Sequence, residues 1–181
     1  AALDSVGVVI IATPVGCHAP DVAAVMEAGK HVWCEKAFTQ NLDEAIQLAE
    51  ESRIKDLALC VSCPPLYHPL YLQLVSLLEN GALGQIYSID SHFGFPHVPG
   101  HSKYDKDVGG GALLDVGFHA LVFGSSLFTE GPRVEAAILE KEIGFNLDTS
   151  GTALLRFPSG AHLISRWGYG QDYTNEIRIF W

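Results

Sequence analysis

Val6-Gly-Val-Val-Ile-Ile-Ala-Thr-Pro14 is the stretch from which the fold can be read. A run of β-branched residues with no polar alternation suits a parallel strand buried on both faces, and Thr13-Pro14 ends it. From about Pro20 to Ala28, Val22, Val25 and Met26 recur at helical spacing, and Gly29 suits the position just past a helix end. His31–Cys34 reads as a second short strand. Asn41–Ser52 reads as a helix with Asn41 as N-cap, Glu44 three residues on as in a capping box, and Leu42, Ala45, Ile46 and Ala49 facing inward. Leu57–Val61 is a third strand. Strand, helix, strand, helix, strand on short links is the pattern of a doubly wound parallel sheet.

Beyond Pro64-Pro65 the pattern changes. Residues from about Pro69 to Glu79 suggest an amphipathic helix stopped by Asn80-Gly81, and Ile86–Phe95 suggests a strand. A loop rich in Gly, Pro and His leads to Asp107, and a helix-like segment follows over Gly109–Gly124. Val134–Ile143, Thr149–Phe157, Ala161–Tyr169 and Asn175–Trp181 then favour strands, with Pro158-Ser-Gly160 as a hairpin turn. Successive strands on short turns predict an α+β domain with a largely antiparallel or mixed sheet. Two domains are expected, over 1–64 and 65–181. The chain begins just before a buried strand and stops inside the apolar run Ile177-Arg-Ile-Phe-Trp181, so a fragment of a longer polypeptide is expected, truncated in its second domain.

Composition narrows the function classes. Of 181 residues, 48% are hydrophobic and 18% charged, enough for a sizeable core, and the formal net charge is −10. With no basic run, neither nucleic acid nor an anionic membrane is an expected partner. No apolar stretch reaches a membrane span and no basic segment opens a signal peptide, so a cytoplasmic protein is expected. Cys60-Val-Ser-Cys63 has CxxC spacing but lacks the second pair of a zinc ribbon. It reads as reduced core thiols, with metal or redox chemistry as the lesser alternative. His92, His97, His101, Asp105 and Asp107 fit no rigid ligand spacing and suit a polar loop over a site, so no metal is expected.

The segment Gly109-Gly-Gly-Ala-Leu-Leu-Asp-Val-Gly-Phe-His119 carries the chemistry. Asp115 and His119, four residues apart, are predicted to share one helical face, where a carboxylate can orient an imidazole for proton transfer. An ordinary surface pair is the alternative. Lys36, at the C-terminal end of a predicted strand, lies on the ligand edge of a parallel sheet, where a cation can stabilise alkoxide charge. A solvated lysine after a strand is the alternative there.

Together these stretches resemble the glucose–fructose oxidoreductase / inositol dehydrogenase (Gfo/Idh/MocA) family. The matching pieces run in family order over nearly the whole chain: Val9-Ile-Ile-Ala-Thr-Pro14 with His18, Glu27-Ala-Gly-Lys-His-Val-Trp-Cys-Glu-Lys36, Tyr67-His-Pro69 with Asn80-Gly-Ala-Leu-Gly-Gln-Ile86, and Gly109–His119. The resemblance implies the C-terminal half of a Rossmann-like sheet followed by the α+β domain. It implies an NAD- or NADP-dependent oxidoreductase interconverting a secondary alcohol and a ketone on a sugar, sugar nucleotide or cyclitol. Lys36 would contact the nicotinamide and the reacting hydroxyl, and His119 would be the general base. Asp115 would orient the substrate or tune the imidazole. Ala12, Thr13, Pro14, His18, Glu35 and Lys36 would bind the cofactor, with Tyr67 and His68 as candidate substrate contacts. Relatives that pair through the second-domain sheet imply a homo-oligomer.

The departures from the family pattern are specific. Ala37 replaces the proline of the family's Glu-Lys-Pro, and Val122 stands where an acidic residue is often found. No Gly-x-Gly-x-x-Gly follows a first strand, and the glycines at 109–111 lie after the wrong element to supply it. Two other functions stay open on the same fold. One is a non-catalytic sensor of dinucleotide or sugar, and the other is an NAD-dependent glycoside-cleaving enzyme.

Overall fold

A computed structural model describes residues 5–96 and 102–181. Strands β1 (Val8–Ile11), β2 (His31–Cys34) and β3 (Leu59–Val61) form a parallel sheet in the order β1-β2-β3, with helices α1 (Val15–Glu27) and α2 (Leu42–Ile54) in the two crossovers. Right-handed crossovers running in one direction place both helices on one face. Ile11, Val32 and Cys34 are therefore buried under Val22 and Met26 of α1 and Leu48 of α2. Val8, Ile10 and Trp33, on the other face, remain exposed. The expectation of a first strand buried on both faces is corrected accordingly.

Helix α2 begins as predicted, with Asn41 Oδ1 accepting the Glu44 N–H at 3.0 Å. Its inward face differs from the prediction. The helix leans on α1 and buries Leu48 and Ser52, which leaves Leu42 71% and Ile46 54% exposed. Helix α1 starts at Val15, five residues before the expected Pro20, which therefore lies inside the helix. Pro20 forfeits one backbone bond, and His18, one half-turn earlier, ties the helix to the Thr13 turn and to the loop at Ala37.

The second part follows the predicted order. Helix α3 (Pro69–Glu79) leads to β4 (Ser88–Phe95), and short 3₁₀ turns at Ser102–Tyr104 and Lys106–Val108 come next. A wide π-helical turn at Leu113–Gly117 then runs into α4 (Phe118–Ser125). Strands β5 (Arg133–Glu140), β6 (Ser150–Arg156), β7 (His162–Tyr169) and β8 (Thr174–Phe180) complete a five-stranded sheet in the order β5-β6-β7-β4-β8. The sheet is mixed, because β4 and β7 are parallel and the other pairs antiparallel. The β6–β7 hairpin closes at Pro158-Ser-Gly160, where Phe157 N–H reaches Ala161 O at 2.8 Å and Gly160 has φ +91°.

Ile89, Ala153, Leu155, Leu163, Trp167 and Tyr169 bury one sheet face against Ala112, Val116 and α4. Here the glycines permit close approach. A Cβ on Gly117 would come within 2.9 Å of the buried Trp167 ring, and one on Gly151 would press the same ring from β6. Gly117→Ala is therefore expected to lose ~1–3 kcal/mol through overpacking. Denaturant unfolding measures it, and unchanged stability would show that the indole can shift.

Candidate active site

The site forms where the end of β2 meets the turn that leads into α4. Asp115 sits in that turn, and its carboxylate receives three donors from three other segments. Lys36 Nζ donates to Oδ1 at 2.9 Å and to the Asp115 backbone oxygen at 2.9 Å. The Tyr169 hydroxyl, from the end of β7, donates to Oδ2 at 3.0 Å. Lys103 Nζ lies 3.5 Å from Oδ2. Burial, the largest single influence, pushes the Asp115 carboxyl up, but the Lys36 charge and hydrogen bond, the Lys103 charge and the Tyr169 hydrogen bond together outweigh it and hold the carboxyl below its ordinary range.

The predicted Asp115–His119 face is redrawn by the π-helical winding. A wider turn takes residues four apart out of stacking register, and such turns recur at functional sites. Asp115 faces Lys36, while the His119 ring lies almost parallel to Phe93, with centroids 5.9 Å apart and planes at 15°. Burial and the Lys36 charge push the His119 pKa down, and the charges of Asp115 and Glu35 oppose them. The imidazole is thus biased towards its neutral, proton-accepting form. Its helix is anchored from the sheet: the Ser91 hydroxyl donates to Ala120 O at 2.9 Å and lies 2.7 Å from the Ser165 hydroxyl.

Two clefts meet at this cluster. One, of about 170 Å³, is lined by Lys36, Lys103, Asp115, His119, Phe93 and Asn175, among others. The other, of about 140 Å³, is lined by Thr13, Pro14, Val15, Gly109 and Gly110 together with the same Lys36, Lys103 and Asp115. The ionic cluster is the shared wall. The second cleft opens at the N-terminus of α1, which has no side-chain cap, so backbone N–H groups and two lysines offer it positive potential. That donor set fits an electron-rich or anionic cofactor.

Other candidates fall elsewhere. His18 is buried, with Nδ1 2.9 Å from Ala37 O and 3.2 Å from Phe38 O, and Nε2 2.7 Å from Thr13 O. Both ring nitrogens face backbone carbonyls, so His18 ties the Thr13 turn to the loop behind Lys36 instead of presenting itself to a cleft. Ala12 is exposed and borders neither cleft, and Glu35 acts on His119 through its charge. Tyr67 is 65% exposed on a 3₁₀ turn. His68 caps α3 through Nδ1 and lines a larger apolar groove of about 650 Å³, which shares Phe93 and Asn175 with the cleft that contains His119.

All four cysteines are free thiols, and burial, with smaller help from Glu35 and Asp21, pushes Cys34 up to about 12. Among the described residues no cluster of His, Cys, Asp and Glu could hold a metal ion, while His97 and His101 lie outside them. No described helix is long and apolar enough to cross a membrane. Sequence reasoning missed Lys103 and Tyr169. Lys103 lies in a loop without periodicity, and Tyr169 carried only the signal of a strand's inward face.

Lysine, aspartate and histidine are thus gathered where the end of β2 meets the turn into α4, and comparison with known proteins shows the family to which this chain belongs. Residues 1–63 match a family profile described as an oxidoreductase family with an NAD-binding Rossmann fold, and residues 71–180 match the GFO/IDH/MocA C-terminal domain. The chain belongs to the GFO/IDH/MocA oxidoreductase family.

Over 180 residues it is 33% identical to a dTDP-3,4-didehydro-2,6-dideoxy-alpha-D-glucose 3-reductase of Streptomyces antibioticus, covering 98% of this chain and 54% of that protein. It is 31% identical to a D-xylose 1-dehydrogenase (NADP+) of Haloferax volcanii, covering 97% and 54%. The crystal structure of a 3-ketoreductase from Actinomadura kijaniata with NADP and TDP-benzene superposes with a TM-score of 0.90 at 31% identity, covering 97% of this chain and 55% of that one. The chain thus spans about half the length of the curated relatives it matches.

Proposed function

We propose that this chain carries the hydride-transfer site of an NAD(P)-dependent oxidoreductase that interconverts a secondary alcohol and a ketone on a sugar, sugar nucleotide or cyclitol. The observation that carries the reading is the shared ionic wall: Lys36, Lys103 and Asp115 border both clefts, and only one cleft contains His119. Thr13, Pro14, Val15 and Lys36 would hold the cofactor on one side. A bound nicotinamide would supply the hydride acceptor for oxidation or the donor for reduction. On the other side His119 takes the hydroxyl proton as the carbon–oxygen double bond forms, or returns it in reduction. Lys36 stabilises the negative charge that develops on that oxygen. Similarity to sugar-nucleotide 3-reductases and a xylose dehydrogenase supports the substrate class.

We further place the division between cofactor and substrate domains at residues 64 and 65. The open face of the second sheet is assigned to subunit pairing, because it carries exposed Ile138 and Phe180 and half-buried Leu154 and Ile164 beside the charged residues Asp90, Arg166, Glu176 and Arg178. Four free thiols suit a reducing compartment such as the cytoplasm.

Fluorescence titration of the whole protein with NADH and NADPH, followed by turnover assays on dTDP-glucose, D-xylose and myo-inositol, tests the reading. Cofactor binding with turnover of one substrate supports it, and cofactor binding with no turnover of any sugar or cyclitol favours a sensor.

The direction of the His119 shift gives a pH prediction. Oxidation needs the neutral imidazole, so kcat/KM for oxidation should rise with pH along a limb whose midpoint lies below the 6.5 of an unperturbed imidazole. Reduction needs the imidazolium and should fall over the same interval. A limb for oxidation centred above pH 7 would contradict the assignment.

A further inference from the structure

We propose that Tyr169 is a positioning residue whose hydroxyl fixes Asp115 as the counter-ion of Lys36, and that this aims the lysine's remaining N–H into the cleft that contains His119. For its effect on rate the inference rests on the hydride-transfer reading. Its geometry does not.

The Tyr169 phenol lies 3.0 Å from Asp115 Oδ2 and 3.2 Å from Gly111 O. A single hydroxyl hydrogen serves one of them best, and the shorter, charge-assisted bond to the carboxylate prevails. Burial, and then the Asp115 charge, push the Tyr169 phenol upward, which keeps that hydrogen in place. The ring itself is immobilised, because Tyr169 is buried at the end of β7 and meets the Tyr104 ring edge-on at 5.0 Å.

With Oδ2 held by the tyrosine, Oδ1 is turned to Lys36. An ammonium has three donors. Two of those on Lys36 go to Asp115, one to Oδ1 and one to the backbone oxygen, each at 2.9 Å. Those two bonds set the direction of the third. Lys103, 3.5 Å from Oδ2, adds charge to the pair but has neither the short distance nor the rigid ring of the tyrosine.

The test is Tyr169→Phe in the whole protein, read by carbon-13 NMR titration of the Asp115 carboxyl and by steady-state kinetics. Loss of a hydrogen bond to the ionised form should move the Asp115 midpoint upward. It should also lower kcat by ~10-fold or more, since bonds to charged groups carry that much, with a smaller change in KM. Should that variant fold poorly, 3-fluorotyrosine at position 169 keeps the shape and makes the phenol a stronger donor, so the midpoint should move downward. An unchanged Asp115 midpoint in either protein overturns the proposal and leaves Tyr169 a packing residue. Loss of the functional reading would look different: no turnover in the parent protein, with the titration shift still present.

Discussion

Lys36→Met lowers kcat/KM by a factor of ~10²–10³, the cost of removing one preorganised donor from a developing oxyanion. Methionine keeps much of the aliphatic stem and removes the charge. The loss should fall mainly on kcat, because a ketone or hydroxyl oxygen gains most from the ammonium as negative charge appears. Two titrations should move with it. The Lys36 charge helps to hold both the Asp115 carboxyl and the His119 imidazole down, so removing it raises both. The acid limb for oxidation therefore moves to higher pH in the variant. Some stability is lost as well, since Asp115 gives up its best partner, but the pair is partly exposed, with side chains at 20% and 28%, and solvent screens it. Rate measurements across pH check the prediction, and a variant with normal kcat would remove Lys36 from the chemistry.

His119→Ala carries the second large effect. A positioned general base or acid contributes roughly 10²–10⁴-fold, and turnover should fall by that factor in both directions while cofactor affinity holds. The separation follows from the layout, because His119 lines the cleft that excludes Thr13 and Pro14. Alanine also opens space beside Phe93, so some stability is lost, and thermal unfolding distinguishes this from lost chemistry. Turnover within two-fold of the parent would mean that another group moves the proton.

Local physics made much of the fold legible. The β-branched runs gave the parallel strands, Asn41 with Glu44 gave a helix start, and Pro158-Ser-Gly160 gave a hairpin. What sequence periodicity misplaced was decided by tertiary partners. Leu42 and Ile46 have inward helical spacing but lie outside because α2 leans on α1. Helix α1 starts earlier than its apolar spacing predicts, and His18 in that extra turn reaches carbonyls 19 and 20 residues away.

The site shows the same division. Lys36, Asp115 and His119 were readable as chemical types in ordered motifs. Their pairing was not: a four-residue spacing on a regular α-helix implies an Asp115–His119 bond, whereas across the π-helical turn at Leu113–Gly117 Asp115 bonds Lys36 and Tyr169 and the His119 ring stacks on Phe93. Tyr169 reaches Asp115 across 54 residues and Lys36 reaches the same carboxylate across 79, separations at which a single sequence carries no pairing signal.

The most direct test of the central claim is the fate of one hydrogen. With D-xylose, myo-inositol or dTDP-glucose deuterated at the carbinol carbons, and NAD or NADP as oxidant, proton NMR of the recovered nicotinamide reads whether deuterium has been transferred. The account predicts stereospecific deuterium at nicotinamide C4 with one of these substrates, and its loss in Lys36→Met and His119→Ala. Conversion of a substrate to its ketone with no deuterium in the nicotinamide would contradict it.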